Sequence, residues 1–353
     1  MRDNAGDSFY GEFSVQPVNV VITPGMPVPV ELLDELRAID PRIRIEMLSR
    51  EQRPYLAAGK GDAAEPEAKA LAATLGEAEV LLAAFDVPAD IMQRTPKLRW
   101  FHTFSAGIDR FVEWGFLRRE IIFTNGSGPT AVPIAEYIVM TMLMLAKSAA
   151  TYVRQQDERR WDRGRGFELR GKTVGIIGLG QIGSEAARLA TALGCRVIGS
   201  RRSVTEAHEH AEGVDLLLPA SDLPRLLAES DFVVLAAPAT GETKALINAA
   251  ALTQMKRGSH LINIARGSLV DEAALVAALQ SGHLAGAALD VFDPEPLPPE
   301  SELWQLKNVL ITPHVSNASE HFLRRQVDLV KENLRRYLAG EELVNLVPPE
   351  RGY

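Results

Sequence analysis

The sequence predicts an α/β protein of two doubly wound parallel sheets, with one domain inserted in the other. Three observations predict it. Runs of strand character alternate with runs of helical character along nearly all of the 353 residues, as parallel sheets with crossover helices require. One set of such runs ends well before the glycine turn Gly178-Leu179-Gly180-Gln181-Ile182-Gly183, and a second set starts with the strand that leads into it. A last amphipathic helix, Ser319 to Leu338, lies beyond the final strand, and we read it as returning to the first domain.

The first set has strands at Val18 to Ile22, Arg42 to Met47, Glu79 to Ala83, Arg99 to Thr103 and Ile121 to Thr124. Short apolar runs of this kind suit strands buried on both faces. Helices are expected near Glu31 to Arg37, Glu67 to Leu75 and Asp90 to Arg94. A long apolar helix, Thr130 to Lys147, follows, and the Arg-rich stretch Arg154 to Arg165 reads as a surface connection.

The second set starts with a strand at Thr173 to Ile177, directly before the glycine turn. The helix after the turn can put Ala186, Ala187, Leu189, Ala190 and Leu193 against a sheet, and the next strand ends in Ser200-Arg201-Arg202. A G-x-G-x-x-G between a strand and a helix is the fingerprint of a Rossmann dinucleotide site. Gly178 allows the tight turn, Gly180 a close approach of pyrophosphate, and Gly183 close helix packing, while N–H groups at the helix start face the anion. Leu179, Gln181 and Ile182 complete the loop. Further strands are expected at Asp231 to Ala236, His260 to Ile264, Ala285 to Leu289 and Asn308 to Ile311, making six. The domains are therefore 1–126, 127–318 for the Rossmann insertion, and 319–353, with the substrate site in the cleft between domains.

Composition narrows the function. A formal charge of -8 without a basic tract argues against nucleic acid. The apolar stretch Ile134 to Ala146 is too short to span a bilayer and contains Glu136, so no membrane partner is expected. The polar segment Met1 to Phe13 is unlike a secretion signal and reads as a disordered leader. The single cysteine, Cys195, excludes an intrachain disulfide framework and a cysteine metal cluster. No metal is expected, and a cytoplasmic setting fits.

Ligands of open α/β sheets bind beyond the carboxyl ends of the strands. Four polar residues stand there: Arg266 in Asn263-Ile264-Ala265-Arg266-Gly267, Asp290 and Glu295 in the run Leu289 to Pro296, and His314 in Thr312-Pro313-His314. A nicotinamide enzyme that reduces a keto acid needs a cation for the carboxylate and carbonyl, which a planar Arg supplies. It also needs a proton donor, for which His is suited near neutral pH, and a carboxylate that orients that His. Arg266, His314 and Glu295 take these roles. The other histidines, His102, His208, His210, His260, His283 and His321, lack this placement and read as structural or exposed.

These segments resemble the D-isomer-specific 2-hydroxyacid dehydrogenases over nearly the whole chain after residue 18. Further matching pieces are Ser105-Ala106-Gly107-Ile108-Asp109, Thr124-Asn125-Gly126 with Ala135-Glu136, and Ala237-Pro238-Ala239-Thr240 with Thr243. The resemblance implies a Rossmann domain inserted in a flavodoxin-like substrate domain, with Arg266, Glu295 and His314 as the catalytic set. It implies that amides around Ala106 and Gly107 receive the substrate carboxylate, with Arg266 and His314 as the other substrate-binding residues. On the cofactor side it implies Asp290 near the nicotinamide carboxamide and contacts from Ala237, Pro238, Thr243, Ile264 and Ala265. It also implies a homodimer through the nucleotide domains, with the helix Thr130 to Lys147 in the contact. Read without the resemblance, Asp109 and Thr243 can equally cap helices.

One departure bears on the cofactor. Counting 18 residues on from Gly183, where NAD-preferring relatives carry an acid for the ribose hydroxyls, this chain has Arg201 and then Arg202. An arginine accommodates a 2′-phosphate, so NADP(H) is expected over NAD(H), with NAD(H) still possible; the alternative is that both arginines face solvent. The expected activity is reduction of a small 2-keto acid of glyoxylate or hydroxypyruvate type. Formate, phosphite or phosphoglycerate oxidation within the family, or a dinucleotide-sensing corepressor-like protein, are the alternatives. Phosphoglycerate oxidation with a regulatory C-terminal domain is disfavoured by the short stretch after the last helix. The substrate pocket is expected to include loops around Ala83 to Phe85 and Phe104, while Tyr55 and Trp114 pack.

Overall fold

The computed structural model describes residues 16–348 apart from 24, 26–27, 59–64, 85 and 119–120. The expected leader Met1 to Phe13 and the pocket position Phe85 lie outside the described residues. The chain forms two compact units: Thr130–Ser319, and the chain before it to Pro129 together with the chain after it from Glu320.

Among the described residues the first unit holds five strands, β1 (Val18–Ile22), β2 (Ile43–Met47), β3 (Val80–Ala83), β4 (Trp100–Thr103) and β5 (Ile122–Asn125), in the order β2-β1-β3-β4-β5. All neighbours are parallel; this is the flavodoxin-like order. The strands β3, β4 and β5 are buried on both faces and β1 nearly so, as parallel strands covered by helices are, while the edge strand β2 alternates, with Arg44, Glu46 and Met47 exposed. Val21, Leu81, Phe101 and Phe123 pack on one face with Leu71 and Leu75 of the helix Pro66–Glu77. Val20, Ile22, Val80 and Trp100 pack on the other with Val327, Val330, Leu334 and Tyr337 of the helix Phe322–Ala339. The Tyr337 ring lies 5.5 Å from Trp100, and its hydroxyl donates to Glu79 Oε1 at 2.6 Å.

The second unit holds β6 (Thr173–Ile177), β7 (Arg196–Arg201), β8 (His208–Glu209), β9 (Leu216–Pro219), β10 (Phe232–Leu235), β11 (His260–Asn263), β12 (Gly286–Leu289) and β13 (Val309–Ile311). The order is β13-β12-β11-β10-β6-β7-β9-β8, parallel except for β8. The sheet reverses direction of growth between β6 and β10, the switch point where doubly wound folds bind dinucleotides. The six expected strands become eight, because β9 and its antiparallel edge partner β8 were not anticipated. Leu216, Leu217 and Leu218 form a short buried run, which periodicity alone does not assign to strand or helix.

Smaller corrections have local causes. The stretch expected to start a surface connection at Arg154 is helical to Asp157, because a second helix, Ala149–Asp157, follows Ser148 at φ 55°. The last helix starts at Phe322 rather than Ser319. Leu193 follows the helix Gln181–Ala192 as its C-cap and is 36% exposed, so only Ala186, Ala187 and Ala190 are fully buried from that face. Tyr55 and Trp114 pack at the first core, and Phe104 is buried against His102. Among the described residues no single helix is long and apolar enough to cross a membrane.

Two histidines are buried rather than exposed. Burial holds His102 down to about 3 and His260, stacked on Phe232 at 4.8 Å, down to about 4. In the unfolded chain both titrate near 6.5. Below that pH the unfolded chain takes up protons that the native state refuses, so stability rises with pH there and is lost as pH falls from 6.5 towards 4. The loss amounts to about 2 kcal/mol per histidine at pH 5. Urea unfolding at pH 7.5 and 5.0 checks this: His102→Gln is expected to flatten the difference, and a difference equal to that of the wild type would contradict it.

Candidate active site

At the end of β6 the chain turns at once. Gly178 has φ +98°, and its N–H and that of Leu179 both donate to Ser200 O at the end of β7, at 3.1 and 3.0 Å. A Cβ at Gly178 would lie 2.6 Å from Ala237 N, and one at Gly183 would lie 2.2 Å from Gly178 O. Both positions therefore require glycine by contact with backbone. Gly180 differs: a Cβ there would meet nothing within 4 Å, and as N-cap of Gln181–Ala192 it brings no side-chain cap. An uncapped helix start facing open space suits a pyrophosphate, so these residues fit a dinucleotide. Ile182 is half-buried and Gln181 exposed.

The other cofactor candidates follow neighbouring strands. Ala237 and Pro238 come after β10, and Ile264 and Ala265, both buried, come after β11. Thr243 closes the turn after β10: its hydroxyl donates to Pro238 O at 2.7 Å and accepts from Thr240 N at 2.8 Å. Arg201, the last residue of β7, pairs with Glu212 at 2.6 Å, and Arg202 with Glu242 at 3.5 Å. All four side chains are over 40% exposed. Pairs of this kind contribute about 0–1 kcal/mol, little enough for a phosphate dianion to displace.

Arg266, Asp290, Glu295 and His314 follow the adjacent strands β11, β12 and β13. Buried Asn263 braces the first turn from both sides, accepting from Ala265 N at 3.0 Å and donating to Arg266 O at 2.8 Å. The half-buried Arg266 donates from Nη1 to Ala265 O at 2.7 Å. A Cβ at Gly267 would sit 2.0 Å from the Phe292 carbonyl carbon. That glycine lets the Arg266 turn press directly on the backbone leading to Glu295.

His314 Nδ1 lies 2.8 Å from Glu295 Oε2, and Glu295 Oε1 accepts from Phe292 N at 3.0 Å. An ionised carboxylate only accepts, so the shared hydrogen belongs to Nδ1 and Nε2 faces the other way. The pair is 46% and 37% exposed, so its worth to stability is small; what it fixes is the ring's orientation. His314 also has φ 54°, a left-handed conformation that strains a residue with a Cβ by about 1 kcal/mol. Asp290 holds it there. That carboxylate is fully buried and accepts from Thr312 Oγ1 at 2.6 Å and from Val315 N and Ser316 N at 2.9 Å, while Asp290 O accepts from His314 N.

Three contributors escaped the sequence reading. Tyr137, on the helix Ala131–Ala146, donates to Thr312 Oγ1 at 2.6 Å and extends the chain to Asp290; burial pushes its hydroxyl up to about 12. Thr312 belongs to the quoted Thr-Pro-His motif, yet nothing in that motif names its partners. Glu212 sits at φ 51° in the β8–β9 connection, where no periodic signal points to Arg201. In the other unit, Ala106 and Gly107 form the turn between β4 and the helix Asp109–Glu113, which starts at Asp109 with Ile108 as its cap.

Residues 139–316 match the family described as D-isomer specific 2-hydroxyacid dehydrogenase, NAD binding domain. The chain is 34% identical over 297 residues to the glyoxylate reductase of Korarchaeum cryptofilum, covering 82% of this chain and 88% of that one. It is 33% identical over 263 residues to the D-3-phosphoglycerate dehydrogenase of Methanocaldococcus jannaschii, covering 74% of this chain but 49% of that one. A D-isomer specific 2-hydroxyacid dehydrogenase from Xanthobacter autotrophicus, solved with NADPH and MES, matches with a TM-score of 0.79 at 32% identity, covering 96% of this chain and 100% of that one. An NADPH-dependent glyoxylate/hydroxypyruvate reductase from Sinorhizobium meliloti, solved with NADP and sulfate, matches with a TM-score of 0.77 at 28% identity, covering 96% and 100%.

Proposed function

The chain belongs to the D-isomer specific 2-hydroxyacid dehydrogenase family, and from that premise we propose that it is an NADP(H)-dependent reductase of small 2-keto acids. The reading is of glyoxylate or hydroxypyruvate type, with a D-2-hydroxy acid formed where the product is chiral. The observation that carries it is the His314–Glu295 pair in the unit that holds the open glycine cradle. When bound, the reduced nicotinamide supplies the hydride. Arg266 holds the carboxylate and polarises the carbonyl, and the amides of Ala106 and Gly107 share the carboxylate. His314 gives the proton from Nε2 to the oxygen, and Glu295 keeps the ring in the orientation that presents Nε2. Asp290 contributes by fixing the turn on which His314 stands. Steady-state nicotinamide oxidation with glyoxylate, hydroxypyruvate, pyruvate and phenylpyruvate tests the reading: turnover is expected with the small acids first, and none with any keto acid would contradict it.

The preference for NADP(H) rests on Arg201 and Arg202, whose exposed acidic partners a phosphate can replace. We also propose a homodimer through the nucleotide-binding unit. The helix Ala131–Ala146 leaves Met140 and Leu143 exposed beside a shallow apolar groove of about 610 Å³, lined also by Val139, Met144 and Leu189. Trp161, farther along the same unit, is 90% exposed. We read the groove beside Met140 and Leu143 as part of the surface between the two copies. Light scattering is expected to give twice the 38.6 kDa chain mass and to fall towards one chain in Leu143→Glu; a monomeric wild type would contradict the proposal.

A further inference from the structure

The turn after β4 is clamped in a way that the proposed reaction does not by itself explain. Three successive carbonyls accept bonds from elsewhere in the same unit: Phe104 O from Gln326 Nε2 at 2.8 Å, Ser105 O from Gly126 N at 2.9 Å, and Ala106 O from Asn125 Nδ2 at 3.0 Å. In a trans peptide the C=O of one residue and the N–H of the next point in opposite directions. Pinning Ser105 O therefore aims the Ala106 N–H away from the clamp, and pinning Ala106 O does the same for the Gly107 N–H. Among the described residues neither N–H has an acceptor.

The clamp is built from close approaches. A Cβ at Gly126 would lie 2.3 Å from Phe104 O and 2.7 Å from Gln326 Nε2, so that residue is glycine by necessity. Asn125 is held through its backbone by Asn345, which accepts from Asn125 N at 3.3 Å and donates from Nδ2 to Asn125 O at 3.3 Å. Its side chain is thus left to the turn, donating to Ala106 O and accepting from Ser127 N. Gln326, on the helix Phe322–Ala339, is fully buried, and its Oε1 has no partner. A buried acceptor without a partner among the described residues is a cost, which the bonds of the donor end offset. That end faces Phe104 O and Gly126 O (3.4 Å).

We infer that Asn125 and Gln326 are positioning residues for the substrate carboxylate: they fix the direction of the Ala106 and Gly107 N–H groups from β5 and from the C-terminal helix. The inference rests on the proposed function, in which those amides bind the carboxylate.

Gln326→Leu and Asn125→Ala are each expected to raise KM for the keto acid about five- to tenfold, an effect on the scale of one neutral hydrogen bond. The expected kcat stays within about twofold of the wild type, because no group that touches the carbonyl has changed. The Kd for NADPH, from fluorescence titration without turnover, is expected to stay unchanged. Oxalate, titrated calorimetrically into the protein with NADPH, is expected to weaken by the same factor. Gln326→Met keeps the volume if the Leu variant does not fold. An unchanged KM and oxalate affinity in folded variants, or an equal loss of NADPH affinity, would overturn the inference. A wild type that reduces no keto acid removes the functional reading instead, and oxalate binding then still reads the clamp.

Discussion

His314→Gln is expected to lower kcat about a thousandfold while leaving the Kd for NADPH within about twofold. Glutamine keeps a polar side chain of similar reach but has no group that gives up a proton near neutral pH. The ring of His314 is oriented by Glu295 Oε2 at 2.8 Å, and the left-handed turn beneath it is braced by buried Asp290. That bracing is independent of the side chain at 314, since Asp290 binds the backbone N–H groups of Val315 and Ser316. The variant therefore isolates the proton transfer from the architecture. Glu295→Gln is expected to lower kcat by a smaller factor, because Nδ1 loses a charged acceptor while Nε2 remains. Turnover unchanged in His314→Gln, measured by stopped assay at saturating substrate, would remove the residue from the mechanism.

The second large effect concerns cofactor choice. Arg201→Asp is expected to shift the ratio of kcat/KM for NADPH over NADH by about a hundredfold towards NADH, since a charge-assisted bond to phosphate contributes about 1.5–3 kcal/mol and the new acid repels a 2′-phosphate. The substitution also sets a carboxylate against Glu212, which in the wild type pairs with Arg201 at 2.6 Å. The double variant Arg201→Asp/Glu212→Gln removes that like-charge contact and is expected to keep the shift with less disturbance of the β8–β9 connection. An unchanged NADPH preference in both variants would refute the role of Arg201.

Much of this was legible in the residues. Continuous runs such as Val18–Ile22 and Phe232–Leu235 announced buried parallel strands, and the glycines of the turn announced their own contacts: 2.6 Å from Gly178 to Ala237 N, 2.2 Å from Gly183 to Gly178 O. The side chains that follow β11, β12 and β13 were found because a parallel sheet delivers its strand ends to one edge. What stayed hidden depends on tertiary contacts that no local pattern encodes. Tyr137 and Thr312 are 175 positions apart, and Gln326 reaches Phe104 across 222. Asp290 stands after β12 as the sequence expects, but its three donors from the His314 turn, Thr312 Oγ1, Val315 N and Ser316 N, depend on how that turn folds back and were not readable from the chain. Leu216–Pro219 was missed as a strand because four residues do not show a period.

The most direct test of the account follows the transferred atom. Hydroxypyruvate reduced with NADPH carrying deuterium at both C4 positions is expected to give D-glycerate with one deuterium at C2, read by chiral chromatography with mass detection. L-glycerate, or D-glycerate without the label, would contradict it.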